Sequence, residues 1–101
     1  MKIVALEEHF ATAEVMQGWK SVDPSSTDLA LKASTEGEGA RRLLDLGARR
    51  LDAMDEAGID VAVLSLTPPG VQNLDPEIAL DLARSTNDCL AAAVHATPER
   101  F

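Results

Sequence analysis

The sequence predicts an α/β chain made of two successive strand-then-helix units. Three observations carry this. Two short apolar runs, "IVAL" at 3–6 and "IDVAVLSL" at 59–66, read as strands. Helical periodicity follows each of them, over 40–57 and again from Asp75 onward. Turn-forming residues separate the pieces, with Gly58 after the first helix and "TPPG" at 67–70 after the second strand. The order strand, loop, helix, strand, loop, helix is the opening of a parallel β/α fold with right-handed crossovers.

The first strand runs directly into charge, as "IVALEEHF" at 3–10. Side chains of a strand alternate between faces, so Glu7 and His9 are expected to point one way with Ile3 and Ala5 behind them, and Glu8 the other way. In β/α barrels, functional groups gather where strands end. A carboxylate and an imidazole two residues apart can both reach one divalent ion, with zinc or manganese plausible from the ligand types. The plainer reading of the same residues is a polar strand exit. Two donors also fall short of the three or four protein ligands that zinc sites use.

Residues 11–39 show weak periodicity and contain Gly18, Pro24, the Ser-Ser-Thr run at 25–27 and "EGEG" at 36–39. They read as a long loop or lid, with short helical turns around 11–17 and 27–33. From Ala40 the period turns helical. Ala40, Leu43, Leu44, Gly47, Leu51 and Met54 share one face; Arg41, Arg42, Asp45, Arg49, Arg50 and Asp52 fall mostly on the other. Gly58 suits the C-terminal cap. The valine-rich run at 59–66 predicts a strand buried on both faces. The second helix opens with Asp75 as cap, Pro76 in the first turn and Glu77 on the favourable end of the dipole. Its buried stripe is Ala79, Leu82, Ala83, Thr86, Leu90 and Val94, and it ends near His95–Thr97, before Pro98. Cys89 is expected to be a small packing residue on the flank, and His95 an exposed residue at a helix terminus.

The 101 residues suit one domain or part of a larger one. A net charge of −8 argues against nucleic acid and anionic membrane as partners, since both need clustered Lys and Arg. No apolar run approaches the roughly 20 residues of a spanning helix. The acidic N-terminal stretch is unlike a secretory signal, and the single cysteine fits a reducing cytoplasm. Aromatics are only 3%, so the core must rest on aliphatic residues and alanine and is expected to be thin.

"VALEEHF" at 4–10, "RRLLDLGARRLDAMDEAGIDVAVLSLTPPGVQ" at 41–72 and "ARSTNDCLAAAVHATPERF" at 83–101 resemble, in that order, a known family. They are similar to the N-terminal part of the amidohydrolase-related metal-dependent decarboxylases of the γ-resorcylate (2,6-dihydroxybenzoate) type, related to aminocarboxymuconate-semialdehyde decarboxylase. Residues 11–39 are not diagnostic. The resemblance implies the first two β/α units of a TIM-like (β/α)8 barrel, left incomplete, with residues 1–101 as the N-terminal portion of one barrel domain. It implies a catalytic divalent metal, zinc or manganese, with Glu7 and His9 as the first-strand ligands. Phe10 and the 67–72 loop, with Thr67 and Val71, would lie near the mouth that takes a small aromatic carboxylate. The reaction implied is non-oxidative loss of carbon dioxide after ring protonation.

The family's remaining ligands, a histidine and an aspartate on later strands, and its acid–base groups have no counterpart here. Only half of the metal site is therefore expected, and the isolated chain is expected to be inactive. Two alternatives stand beside the decarboxylase reading. One is a metal-dependent hydrolase of the same superfamily, using activated water. The other is a non-catalytic remnant or interaction module, stabilised by homo-oligomerisation through an open sheet edge.

Overall fold

Strands β1 (Val4–Phe10) and β2 (Val61–Leu66) lie side by side and parallel in a two-stranded sheet. Five helices accompany them among the described residues: α1 (Ala13–Val22), α2 (Leu29–Thr35), α3 (Gly37–Leu44), α4 (Ala48–Ala57) and α5 (Pro76–Ala96). The structure is a computed structural model that describes residues 1–25 and 27–101; Ser26, in the middle of the Ser-Ser-Thr run, lies outside the described residues.

The segment expected to be a long loop with short helical turns around 11–17 and 27–33 carries full helices at Ala13–Val22 and Leu29–Thr35. Thr12 caps α1 by accepting from the Val15 amide at 3.3 Å, with Glu14 in the first turn and Lys20 in the last. Val15, Met16 and Trp19 form a narrow buried stripe, and a stripe of three residues gives little periodic signal in sequence. Asp28 caps α2 through the amides of Ala30 and Leu31, at 2.9 and 3.2 Å. Gly18 lets α1 approach closely: a Cβ there would lie 3.1 Å from Leu74 and 3.6 Å from Leu82.

The single helix expected over 40–57 is instead two. Asp45 leaves the helical region with φ −89° and ψ 113°, and its carboxylate accepts from the Gly47 amide at 2.8 Å. This side-chain turn competes with helix continuation and restarts the chain in a new phase as α4. Gly58 closes α4 with φ 72°, the left-handed cap expected there. The predicted stripe of α5 is buried or half-buried throughout, and Thr97 follows its end. Cys89 differs from expectation. It is exposed, because Thr86 and Leu90 take the inward positions on either side of it.

The core forms where α1 covers the C-terminal ends of the strands. Ala11, Val15, Met16, Trp19 and Ala40 make the buried cluster, with Leu31, Leu43, Leu66 and Leu82 packed against it. The other face of the sheet is open. Val63 is 48% exposed, so the second strand is not buried on both faces as its apolar run predicts. The accessible surface is 6530 Å², against about 5,500 Å² for a compact monomer of this mass.

Candidate metal centre

The register of the two strands decides which side chains share a face. Val4 pairs with Val61 and Ala5 with Ala62; then Glu8 pairs with Leu64, His9 with Ser65 and Phe10 with Leu66. Between Ala5 and Glu8, β1 uses one residue more than β2, which is a β-bulge. Leu6 and Glu7 together oppose Val63. Glu7 takes φ 58°, a left-handed conformation uncommon outside glycine.

The bulge resets the alternation. Ala5, Glu8 and Phe10 fall on the face of Ala62, Leu64 and Leu66, which the helices cover. His9 falls on the face of Val61, Val63 and Ser65, which is open. Glu7, opposite Val63 and exposed, lies on that open side with it. Ala5 is therefore not behind His9, as strict alternation predicts. The inserted residue moves His9 to the face opposite Ala5, while Glu8 turns toward α4.

The backbone beneath these residues is tied down at several points. The Phe10 carbonyl accepts from the Thr67 amide at 2.9 Å, joining the two strand ends. The Ala11 amide donates to the Leu43 carbonyl at 2.9 Å, joining β1 to the end of α3. Trp19, fully buried, donates its indole N–H to the Gly70 carbonyl at 2.7 Å and fixes the 67–70 turn under α1. Arg50 spreads its guanidinium over three carbonyls, those of His9 and Arg42 at 2.9 Å and of Asp45 at 2.6 Å. Burial lowers the Arg50 pKa, and the negative charges of Glu8 and Asp45 oppose that shift.

Of the residues expected at the substrate mouth, Phe10 is 1% exposed and Thr67 8% exposed; both are packed into the chain's interior. Val71 is half-buried and keeps surface to offer. His95 is exposed near the end of α5, with Nδ1 2.7 Å from the Ala91 carbonyl. No group of three or more His, Cys, Asp or Glu among the described residues is placed to hold a metal ion. Glu7 and His9 share the open face. Sequence reasoning missed Arg50, which was assigned to the polar side of one continuous helix. The Asp-Leu-Gly stretch at 45–47 is the signal that shifts the helical phase and turns Arg50 inward.

No family model matches the chain. It is 40% identical over 99 residues to the gamma-resorcylate decarboxylase of Polaromonas sp. strain JS666, a match that takes 97% of this chain and 28% of that relative. In structure it is similar to the 5-carboxyvanillate decarboxylase of Novosphingobium aromaticivorans, complexed with manganese and 4-hydroxy-3-methoxy-5-nitrobenzoic acid. The TM-score is 0.86 at 38% identity, over 99% of this chain and 32% of that one. It also matches 2,6-dihydroxybenzoate decarboxylase complexed with 2,6-dihydroxybenzoate, with a TM-score of 0.72 at 39% identity, over 100% of this chain and 29% of that one. The chain thus spans less than a third of the length of these relatives. These matches bear out the resemblance read from the sequence. They are amidohydrolase-like TIM-barrel decarboxylases, and the two parallel strands with their helices have the fold of an incomplete barrel of that type.

Proposed function

We propose that this chain, related in sequence and fold to metal-dependent decarboxylases, supplies the first-strand half of a metal centre for non-oxidative decarboxylation of a hydroxylated benzoate. The observation that carries the reading is the bulge. It sets a carboxylate and an imidazole on the open face at the C-terminal end of β1, where barrel enzymes of this architecture do their chemistry. The carboxylate of Glu7 and an imidazole nitrogen of His9 would hold a divalent ion. Manganese is favoured over zinc because the 5-carboxyvanillate decarboxylase that this chain resembles carries manganese. Such an ion supplies Lewis-acid polarisation and orientation of an anionic substrate.

The chain's own residues hold and enclose. Glu7 contributes negative charge that favours the cation. The exposed side chains of Leu6 and Val63 make the surroundings of the donors apolar, which strengthens electrostatic attraction once water is displaced. The 67–71 turn, fixed through Trp19, forms one wall for a planar aromatic acid, with Val71 as the side chain able to touch it. Phe10 and Thr67 support that wall from beneath. We place the chain in the cytoplasm on the strength of its single cysteine.

A chimera tests this reading. The matching segment of the Polaromonas gamma-resorcylate decarboxylase is replaced by residues 1–101, and carbon dioxide release from 2,6-dihydroxybenzoate is followed with added manganese. Metal-dependent turnover is expected, falling at least about a hundredfold with Glu7→Gln or His9→Ala, the upper end of what loss of a metal's supporting partner costs. The 101-residue chain alone is expected to give no turnover. A chimera that keeps full activity with both substitutions would remove the assignment of Glu7 and His9.

A further inference from the structure

We propose that Arg50 is a positioning residue for His9: it sets the end of β1 so that the imidazole leaves the sheet on the open face. The inference rests on reading Glu7 and His9 as metal ligands. Arg50 stands in the first turn of α4, one residue beyond the exposed Arg49. Its Nη2 donates to the His9 carbonyl and to the Arg42 carbonyl, and its Nε to the Asp45 carbonyl. Two of these acceptors belong to the end of α3, where carbonyls lack helical partners. The third belongs to the candidate ligand itself.

The guanidinium therefore links three elements: the terminus of α3, the start of α4 and the strand end. Glu8 and His9 both line the cavity that holds Arg50 and Asp45, and His9 gives its carbonyl to Arg50 there. The bond to the His9 carbonyl fixes the strand end, and the register there puts the His9 side chain on the face of Ser65, opposite the face of Glu8 and Leu64. A lysine cannot reproduce this. Its single ammonium lacks the planar fork that reaches carbonyls in different directions.

A purely structural arginine offers a contrast at the other end of the sheet. Arg100 donates to the Asp60 carbonyl at 2.9 Å, to the Ile59 carbonyl at 3.1 Å and to the Asp55 carboxylate at 2.7 Å, and it touches neither candidate ligand. Arg50→Gln, Arg50→Lys and Arg100→Gln are compared by NMR in the 101-residue chain. Two quantities are read at a temperature where each variant is folded: backbone order parameters of Glu8, His9 and Phe10, and selective broadening of the His9 ring signals on titration with manganese ion.

In Arg50→Gln, order at residues 8–10 is expected to fall from about 0.85 toward 0.6. The manganese concentration for half-broadening is expected to rise about tenfold or more. Arg50→Lys does not restore either, and also serves if the glutamine variant fails to fold. Arg100→Gln lowers the melting temperature and moves neither reading. Unchanged order at residues 8–10 in both Arg50 variants overturns the proposal. So does lost order with an unchanged manganese response, which would make Arg50 structural alone. If the unmodified chain shows ordered 8–10 backbone but no selective manganese effect at His9, the proposal is overturned for this chain, while the chimera with Glu7→Gln and His9→Ala decides the metal reading separately.

Discussion

The two ends of the sheet are held by different physics. At the C-terminal end, Phe10 and Thr67 are buried, α1 lies across the strands, and Trp19 is wholly enclosed with its indole bonded to Gly70. At the N-terminal end, Ile3 and Val4 remain 44% and 49% exposed. There the chain is joined by polar contacts: the Ile3 amide to Asp60 at 2.6 Å, and Arg100 to the Asp60 and Ile59 carbonyls. Apolar burial scales with area removed from water, whereas exposed polar contacts add little. The cohesion of this chain is therefore concentrated where Glu7 and His9 leave the sheet. A bulged residue with positive φ costs about 1–3 kcal/mol and persists only when its surroundings fix it. The packed end provides that support.

The sharpest way to break this asymmetry is to empty the packed end. Trp19→Ala removes a fully enclosed side chain and leaves the Gly70 carbonyl without its donor. The expected loss is about 3–5 kcal/mol, a large share of the stability of a small domain. Urea denaturation followed by far-UV circular dichroism reads it. Trp19→Phe keeps most of the packing and loses chiefly the hydrogen bond, so a cost of about 1–2 kcal/mol is expected. Equal losses for the two variants would mean that the hydrogen bond, not burial, dominates this end.

The two faces sharpen the comparison further, because Ala62 and Val63 are consecutive but opposite. Ala62 is 1% exposed on the helix-covered face and Val63 48% exposed on the open one. Ala62→Gly removes a buried methyl and loosens the strand, and is expected to cost about 1–2 kcal/mol. Val63→Thr keeps the branched β-carbon that strands favour and should stay within about 0.5 kcal/mol. A similar melting temperature for the two variants would show that the covered face is looser than its burial implies.

These contrasts also mark what the sequence could disclose. The strands were legible as short valine-rich or aliphatic runs, and α5 as an amphipathic helix of 21 residues opening at Asp75, whose side chain makes no capping hydrogen bond. α1 and α2 were legible only as short helical turns around 11–17 and 27–33, because a helix of 10 or 7 residues carries too few inward positions to stand out as a period. The split at Asp45–Gly47 was hidden by apolar spacing that runs through it, although the aspartate and glycine are what stop the helix. Glu7 and His9 were legible as candidates from their chemistry. The bulge beneath them was not, since nothing in "ALEEHF" distinguishes an inserted residue from an alternating one. Arg50 was invisible for a combined reason. Its inward turn depends on the helix break, and its partners are backbone carbonyls, which leave no trace in residue type.

The smallest expected effect concerns how the cover over the packed end is itself fastened. Asp23, just past α1, accepts from the Asp28 amide at 2.9 Å, the Thr27 hydroxyl at 2.7 Å and the Thr27 amide at 3.2 Å. The Asp28 amide first, and then the Thr27 hydroxyl, hold its pKa below the usual 3.8. A carboxylate whose folded pKa is depressed stabilises the fold fully above its unfolded value, near 3.9, and that contribution disappears as the pH falls through the folded pKa. The difference in urea midpoint between the unmodified chain and Asp23→Asn should therefore be steady from pH 7 to about 5 and shrink below about 4. Taking the difference cancels the other carboxylates that titrate in the same range. A gap that widens on acidification would mean the carboxylate is a net burden in the fold. The turn joining α1 to α2 would then be held by its backbone alone.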